Sequence, residues 1–245
     1  MPAASISNGR QGRPVFDPGR ALGPQVYRHL RVAIIRMELR PGQALSEQEI
    51  AIRLGVSRQP VREAFIKLGE ARLVRILPQR GTFVAGISLS EVINARFVRA
   101  AVETAVVRAA CAVAPVSALD ALDALIVLQS QAVQAGDQPE FLSHDEAFHR
   151  TLVESIDCST AWSILEDAKV HMDRVRYLRG PEMTPLDILV KQHAAIVAAI
   201  RDRNSAKAVA SMDEHLREIL RILPRLTKEY PDLFEDLHMP LHAAF

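Results

Sequence analysis

Apolar residues recur at helical spacing along most of the chain, but the elements that they predict change in length near residue 86. Before that point the pattern predicts short amphipathic helices and one pair of short strands. After it, six helices joined by short loops indicate an antiparallel bundle. The sequence therefore predicts a mainly α protein in two parts. The predicted bundle helices cover about 90–114, 117–135, 138–156, 160–179, 185–202 and 205–223.

Residues 46–67 have the pattern of a helix, a tight turn and a second helix. Ser46 and Glu49 form a capping box, in which the hydroxyl accepts from a free N–H and the carboxylate reaches back. Gly55 ends this helix at a position where a positive φ is favourable. Ser57 is expected to cap the second helix. The segment is typical of a helix-turn-helix, although a simple helical hairpin with solvated charges has the same local signals.

Polar side chains at the start of the second helix favour a DNA-binding interpretation. Arg58, Gln59 and Arg62 project away from its apolar stripe. From the N-terminal end of a recognition helix, such side chains reach base edges and phosphates.

A short β-hairpin is predicted directly after the second helix. Apolar residues occupy 73, 74, 76 and 77, the sequence PQRG at 78–81 is typical of a turn, and β-forming residues follow. Arg80 and Gly81 would lie at the tip, where a cation and an exposed backbone can approach phosphates. With an amphipathic helix that is expected to end near Arg40, at Pro41-Gly42, these elements predict an N-terminal winged helix-turn-helix.

The predicted domain organisation has four segments. Residues 1–23 lack periodicity and are interpreted as a flexible tail. Residues 24–86 form the DNA-binding domain, and residues 87–223 form an all-helical effector-binding and dimerisation domain. Residues 224–245 form a C-terminal tail, and the sequence leaves open whether it is packed or flexible.

The distribution of charge agrees with this division. The whole chain carries a formal net charge of only +1. Residues 24–86 contain 11 Lys and Arg against 5 Asp and Glu, whereas residues 87–245 contain 16 against 23. A basic part joined to an acidic part suggests that only the first meets phosphate groups.

Cysteine content and hydropathy bear on the compartment. Cys111 and Cys158 lie in apolar helical contexts and give no disulfide framework, which suits a reducing environment. Apolar runs of bilayer length and a signal sequence are not apparent. A cytoplasmic protein without a membrane partner is expected.

Four residues of the predicted bundle could bind a metal ion. Asp145 and His149 are four residues apart and share a helix face, and His193 and His215 lie among apolar residues that must pack inward. One carboxylate and three imidazoles suit a divalent ion such as Zn²⁺, with Ni²⁺ and Mn²⁺ as alternatives. An octahedral ion would keep open positions for a small carboxylic acid.

Other interpretations of these histidines stay open. A histidine beside an apolar face is often a core residue that bonds a backbone carbonyl. His171 is a weaker candidate for lining the same cavity, with Arg174 or Arg176 as an anion partner. A metalloenzyme is a further alternative, since Asp and His around an ion can activate water. The bundle could also serve only for dimerisation.

The motifs above resemble the GntR family of bacterial transcription regulators, in the FadR-like branch with an all-helical FCD ligand domain. The resemblance covers about residues 24–223. It rests on LRPGQALSEQEIAIRLGVSRQPVREAFIKL, then VRILPQRGTFV, then RAAVETAVVRAA, and on the spacing of the Asp and His set.

The resemblance implies both sites. It makes Asp145, His149, His193 and His215 the metal ligands. Some relatives carry Arg where this chain has Gln48, at the start of the first helix of the motif. The predicted DNA-contacting residues are Gln48, Ser57, Arg58, Gln59, Arg62, Arg80 and Gly81.

The expected function is a ligand-responsive regulator, more often a repressor than an activator, and not an enzyme. A homodimer would bind an inverted repeat in operator DNA of a catabolic operon, because one short helix reads only a few base pairs. An organic or sugar acid would bind the metal through its carboxylate and shift the DNA-binding equilibrium. The predicted effector-binding residues are Arg99, His171 and Arg174.

Overall fold

The computed structural model describes residues 14–178, 185–237 and 240. The chain divides into two compact units, of which the first ends at Gly86 and the second starts at Ile87. Parts of three predictions lie outside the described residues: the N-terminal tail at 1–13, the helix break at 180–181 and most of the tail after 237.

The first unit contains three helices and a small antiparallel sheet. The sheet has the order β1-β3-β2, and Val74 pairs with Val84 in the hairpin. The strand β1, which pairs Ala44 with Phe83, was not predicted. Val26, Leu30, Val61 and Leu68 are completely buried between the helices. The elements are α1 (Leu22–Ile35), β1 (Ala44–Leu45), α2 (Glu47–Leu54), α3 (Arg58–Glu70), β2 (Val74–Leu77) and β3 (Gly81–Val84).

The turn between α2 and α3 has the predicted backbone. The Ser46 hydroxyl accepts from the Glu49 N–H at 3.3 Å, which satisfies one free donor at the start of α2. Gly55 ends the helix with φ of 70°, a left-handed conformation in which a Cβ is unfavourable.

The prediction that the Ser57 side chain caps α3 is wrong. Ser57 occupies the N-cap position, but its side chain makes no capping hydrogen bond. Pro60 lies in the first turn of α3, where its ring has no N–H to satisfy and its φ already suits a helix. The hydroxyl of Ser57 is exposed instead.

These two serines give a paired stability prediction. Ser46→Ala is expected to lower the free energy of unfolding by about 1 kcal/mol, the usual value for a lost N-cap. Ser57→Ala should leave it nearly unchanged, because no capping bond is lost. Urea denaturation of the full chain, followed by far-UV circular dichroism, measures both. Equal losses in the two variants would contradict the assignment.

Residues just before α1 are held in place, in contrast to the expected flexible tail. The side chain of Gln25 accepts from the Asp17 N–H at 2.8 Å and donates to the Asp17 carbonyl at 2.9 Å. It also reaches the carbonyls of Arg20 and Ala21. Helix α1 begins at Leu22, two residues before the predicted start of the DNA-binding domain.

The second unit is a helical bundle with a pair of short parallel strands. Its main core joins Val107, Leu122, Phe148 and Ile196 between four of the helices. The elements are β4 (Ile87–Ser88), α4 (Leu89–Val113), α5 (Val116–Ala135), α6 (Gln138–Glu154), α7 (Ser159–Ala168), α8 (Val170–Leu178), α9 (Leu186–Arg201), α10 (Ser205–Glu229), a 3₁₀ helix (Pro231–Leu233) and β5 (Phe234–Asp236).

Two predicted helix boundaries in this unit are wrong. The single helix expected over 160–179 is broken at Lys169 into α7 and α8. The last helix was expected to end at 223, but it continues through Pro224 to Glu229. A proline inside a helix costs about 3 kcal/mol. Burial of Leu226, on the same stripe as Ile222, offsets that cost.

The segment after α10 is packed where it is described. Strand β5 pairs with β4 in parallel, with Ile87 beside Phe234 and Ser88 beside Asp236. The Asp236 carboxylate accepts from the Ser90 N–H at 3.3 Å. The chain therefore returns to the start of the second unit.

Among the described helices, α5 is the one that is long and apolar enough to cross a membrane, by length and composition alone. Leu119 and Leu122 pack in the bundle core. Val116 and Val127 are exposed. Helix α5 is thus a bundle helix with an apolar outer face.

Candidate metal centre and DNA-contact surface

The seven side chains predicted to contact DNA are all exposed in the first unit. Ser57 precedes α3, and Arg58 is its first residue, so the arginine lies at the positive end of the helix dipole. Gln48 lies in the first turn of α2. Arg80 and Gly81 lie in the hairpin turn, where Gly81 has φ of 102°.

Two of these side chains are held by acidic neighbours. Arg58 donates to Glu47 at 2.9 Å while 68% of its side chain stays exposed. Gln59 donates to Glu63 at 3.1 Å. Ion pairs this exposed contribute only about 0–1 kcal/mol. Arg58 is therefore positioned by Glu47 but can exchange it for a phosphate or a base.

In the second unit, the four predicted metal ligands lie together in the bundle interior. Asp145 and His149 come from α6, His193 from α9 and His215 from α10, and all four are buried. Their candidate ligand atoms lie within 4.8 Å of one another.

The three imidazoles turn the same nitrogen toward a common point. His215 Nε2 lies 3.3 Å from His193 Nε2 and 3.2 Å from His149 Nε2. The nearer Asp145 oxygen lies 3.7 Å from His193 Nε2. Nitrogens bound about 2.0–2.1 Å from a tetrahedral ion lie roughly 3.3–3.4 Å apart. The spacing of these side chains fits one divalent ion.

Each imidazole is oriented by an oxygen acceptor on its other nitrogen. His193 Nδ1 lies 2.8 Å from Gln129 Oε1, and His215 Nδ1 lies 3.1 Å from Gln192 Oε1. His149 Nδ1 bonds the Glu103 carboxylate in the same way. The three residues that orient the imidazoles are Glu103, Gln129 and Gln192.

This arrangement assigns the protons. The glutamine amides are fixed because their nitrogens donate elsewhere, Gln129 to the His144 carbonyl and Gln192 to Glu218. Oxygen acceptors place the protons of the neutral rings on Nδ1. Three Nε2 lone pairs then face one another, an arrangement that is unfavourable without a cation and typical of metal-binding histidines.

The electrostatics keep the ligands in their metal-binding forms. Burial lowers the pKa of His193 to about 3, so its ring is neutral at physiological pH. Burial also lowers the pKa of His215 well below its usual value, with His193 and His149 adding to the effect. For Asp145, burial alone would raise the pKa, but the charge of Arg176 and the histidines hold it below its ordinary value.

Two arginines border the cluster, of which Arg99 is buried and Arg176 is half-buried. Arg176, on α8, forms ion pairs with Asp145 and with Asp173, the latter at 3.2 Å. Arg99, on α4, donates to Glu103 at 2.6 Å. Burial would raise the pKa of Glu103, but Arg99 and His149 lower it to about 2, so this carboxylate stays ionised.

A cavity of about 40 Å³ opens beside the cluster. A volume of roughly 10–15 Å³ holds one water, so this cavity has room for a few waters or a small carboxylate. Both Arg99 and Arg176 line it. Its other lining residues are Asp145, Met172, Leu189, His215, Leu216, Glu218 and Ile219.

The predicted effector-binding residues divide into two groups. Arg99 lines the cavity, whereas His171 and Arg174 do not. His171 Nδ1 accepts from the Ser88 N–H at 3.2 Å. Arg174 is fully buried, and that burial lowers its pKa to about 10 although Glu235 opposes the shift. Residues two apart on a helix point to opposite sides, so Arg176 lines the cavity in place of Arg174.

Sequence reasoning missed the residues that orient the ligands. Glu103 belongs to the motif RAAVETAVVRAA and lies four residues after Arg99, a spacing that could have indicated the pair. Gln192 adjoins His193 in the sequence. Gln129 carries no local signal, because only the packing of α5 on α9 brings it to His193.

Family models match both units. The model of the bacterial regulatory proteins of the gntR family matches residues 22–84. The FCD domain model matches residues 95–218, about half of the chain.

Similar proteins are named as transcription regulators. The HTH-type transcriptional repressor RspR of Escherichia coli (strain K12) is 37% identical over 221 residues, which cover 90% of this chain and 97% of that protein. An HTH-type transcriptional regulator of Streptomyces ambofaciens is 35% identical, with 88% and 91% coverage. The gluconate operon transcriptional repressor of Bacillus subtilis (strain 168) is 26% identical, with 80% and 83% coverage.

Solved structures share the fold. McbR/YncC of E. coli superposes with a TM-score of 0.73 at 20% identity, covering 84% of this chain and 98% of that one. A GntR transcriptional regulator from Rhodococcus sp. RHA1 has a TM-score of 0.67 at 26% identity, with 82% and 97% coverage. The family model and the named relatives are those of transcription regulators and not of enzymes. The chain belongs to the GntR family of bacterial transcription regulators and carries a GntR winged helix-turn-helix and an FCD domain.

Proposed function

We propose that this regulator is a repressor that binds an inverted repeat in operator DNA as a homodimer and senses a small carboxylic or sugar acid. The acid binds at a divalent metal ion held by Asp145, His149, His193 and His215. The convergence of three Nε2 atoms beside a cavity lined by two arginines is the observation that carries the proposal.

The DNA side of the proposal rests on the surface of α3 and the hairpin. Arg58, Gln59 and Arg62 are exposed at one end of α3, and a single helix of this kind reads only a few base pairs. A two-fold dimer doubles the contacts and sets the spacing of the half-sites. The exposed apolar side chains of α5, such as Val116 and Val127, support a surface that a second copy covers.

The metal side rests on the donor set. Three imidazoles and one carboxylate suit Zn²⁺, with Ni²⁺ and Mn²⁺ as alternatives. The ion would act as a Lewis acid that binds the effector's carboxylate. The chain's own contribution is to hold the donors deprotonated and oriented, through Glu103 and the two glutamines.

The charge balance of the site favours an acid. The ionised groups in and next to the cavity are four cations and five carboxylates, a balance of −1. A divalent ion changes this to +1, and one bound carboxylate neutralises it. The groups counted are Arg99, Lys169, Arg176, Arg221, Glu103, Asp145, Glu146, Asp173 and Glu218. The named target of the B. subtilis relative, a gluconate operon, agrees with a sugar acid.

Helix α8 offers a physical route from effector to DNA-binding unit. At one end of α8, His171 accepts from the Ser88 N–H, two residues after the division between the units. Further along, Arg176 pairs with the ligand Asp145. An effector that competes for Arg176 would displace α8 and alter the support of Ser88 in the same unit. A ligand shifts DNA binding only if it favours one of two such arrangements over the other.

The test combines metal analysis with operator binding. The purified protein should contain about one divalent ion per chain, and the acids of the pathway encoded beside its gene should weaken binding to the upstream DNA by on the order of 10–100-fold. Loss of this response after removal of the metal is also expected. A metal-free protein with no ligand response would leave the bundle as a dimerisation scaffold, and turnover of an acid would revive the metalloenzyme alternative.

A further inference from the structure

A second, smaller cavity shares part of its lining with the first one. Its volume is about 10 Å³, close to the space that one water or one ligand oxygen needs. Arg99, Asp145 and Arg176 line both cavities. The second cavity is also lined by Glu103, Glu146, His149, Trp162, Leu165 and Lys169.

The indole of Trp162 brings an unused donor to this cavity. Its Nε1 atom is buried and has no hydrogen-bond partner among the described residues. An indole N–H can only donate, and a buried donor without an acceptor is unfavourable. The ring is held between two cations, with the Arg150 guanidinium 5.0 Å and the Lys169 ammonium 5.7 Å from its centroid.

The ionised groups around the cavity already neutralise one another. Lys169 bonds Asp173 at 2.9 Å and lies 3.5 Å from Glu146. The cavity lining itself contains three cations and three carboxylates. The cavity therefore offers no net positive charge that would attract a second anion once the metal has bound the first carboxylate. A neutral oxygen that accepts a hydrogen bond from the indole would satisfy the buried N–H without adding charge to the cavity.

We infer that this cavity is a second effector subsite in which Trp162 donates to a hydroxyl oxygen, so that the protein selects hydroxy acids over simple alkyl acids. The inference rests on the proposed acid-sensing function and deepens it. Trp162 determines specificity for the hydroxyl group and does not hold the metal. Hydroxy acids include the sugar acids, and a single hydroxyl next to the carboxylate is the smallest form.

The chain contains one tryptophan, so intrinsic fluorescence reports this subsite directly. Lactate and propionate form a matched pair of probes that differ by one hydroxyl group. In the full-length, Zn²⁺-loaded protein, one enantiomer of lactate should bind about tenfold more tightly than propionate, the typical effect of one added hydrogen bond. Lactate should also change the Trp162 emission, and propionate should not.

Trp162→Phe removes the N–H and keeps an aromatic ring. Isothermal titration should show that this variant binds Zn²⁺ and propionate as the wild type does, while its preference for lactate falls to about onefold. A tenfold preference that survives in Trp162→Phe would show that the hydroxyl is recognised by the metal alone and would overturn the subsite. Equal weakening of both acids would assign Trp162 a merely structural role and overturn it too.

Titrations of the wild-type protein distinguish a failure of this inference from a failure of the proposed acid-sensing function. Equal affinity for the two acids overturns the hydroxyl subsite and leaves acid sensing in place. Failure of the Zn²⁺-loaded protein to bind either acid at millimolar concentration overturns acid sensing itself, and the subsite with it.

Discussion

The double variant Arg58→Ala, Arg62→Ala is expected to lose specific binding to the DNA upstream of its own gene. Both side chains are exposed at the start of α3, and each base or phosphate contact of this type contributes roughly 1–3 kcal/mol. The proposed homodimer would lose four guanidinium groups, so the dissociation constant should rise on the order of 10³-fold or more. Fluorescence anisotropy at several salt concentrations measures this loss, and the salt dependence should become shallower as well.

A cation elsewhere in the same unit provides the matched control. Arg36 is exposed just after α1, and Arg36→Ala should weaken operator binding only a few-fold. Glu47→Gln removes the partner of Arg58 and should keep or improve DNA binding, because the guanidinium becomes available. The recognition surface is misplaced if the double variant still shifts the operator at moderate salt.

Replacement of one metal ligand should remove most of the stabilisation by metal. Zn²⁺ at about 1,000 times its dissociation constant adds roughly 4 kcal/mol to the stability of a protein that binds it only when folded. For a protein of this size, that raises the melting temperature by roughly 8–16 °C. In His193→Gln, loss of a quarter of a typical binding free energy of roughly 12 kcal/mol weakens affinity by about 100-fold, and most of the shift should disappear.

The control for this experiment is another buried histidine of the same unit. His171 accepts from Ser88 and lies outside the cluster, so His171→Gln should keep the full metal-induced shift. Glu103→Gln keeps all four ligands but alters the group that orients His149 and pairs with Arg99, and a 10–100-fold loss of affinity is expected. Calorimetry with Zn²⁺ ranks the three variants. Equal shifts in His193→Gln and His171→Gln would remove the metal centre from consideration.

Local signals in the sequence predict what local chemistry determines. The start of α2 at Ser46 and its end at Gly55 follow from hydrogen bonds and a backbone angle within a few residues. The i, i+4 spacing of Asp145 and His149 likewise follows from one helix. These features could be predicted because they do not depend on how the helices pack.

Features that depend on how the helices pack could not be predicted from the sequence. A helix break changes the direction of every later side chain, so the break at Lys169 decides that Arg176 and not Arg174 faces the cavity. The continuation of α10 past Pro224 depends on a pocket for Leu226 among residues distant in the sequence. The contact of Gln129 with His193 joins residues that lie 64 positions apart in the sequence, on α5 and α9.

The parallel pairing of β4 and β5 brings the entry and the exit of the ligand domain side by side. Domains whose ends lie close together tolerate insertion and circular permutation. A DNA-binding domain fused after residue 237 would therefore be attached close to Ile87, where the natural DNA-binding domain joins the bundle. The ligand domain is therefore suited to modular exchange, in which one bundle is grafted to a different output at either end.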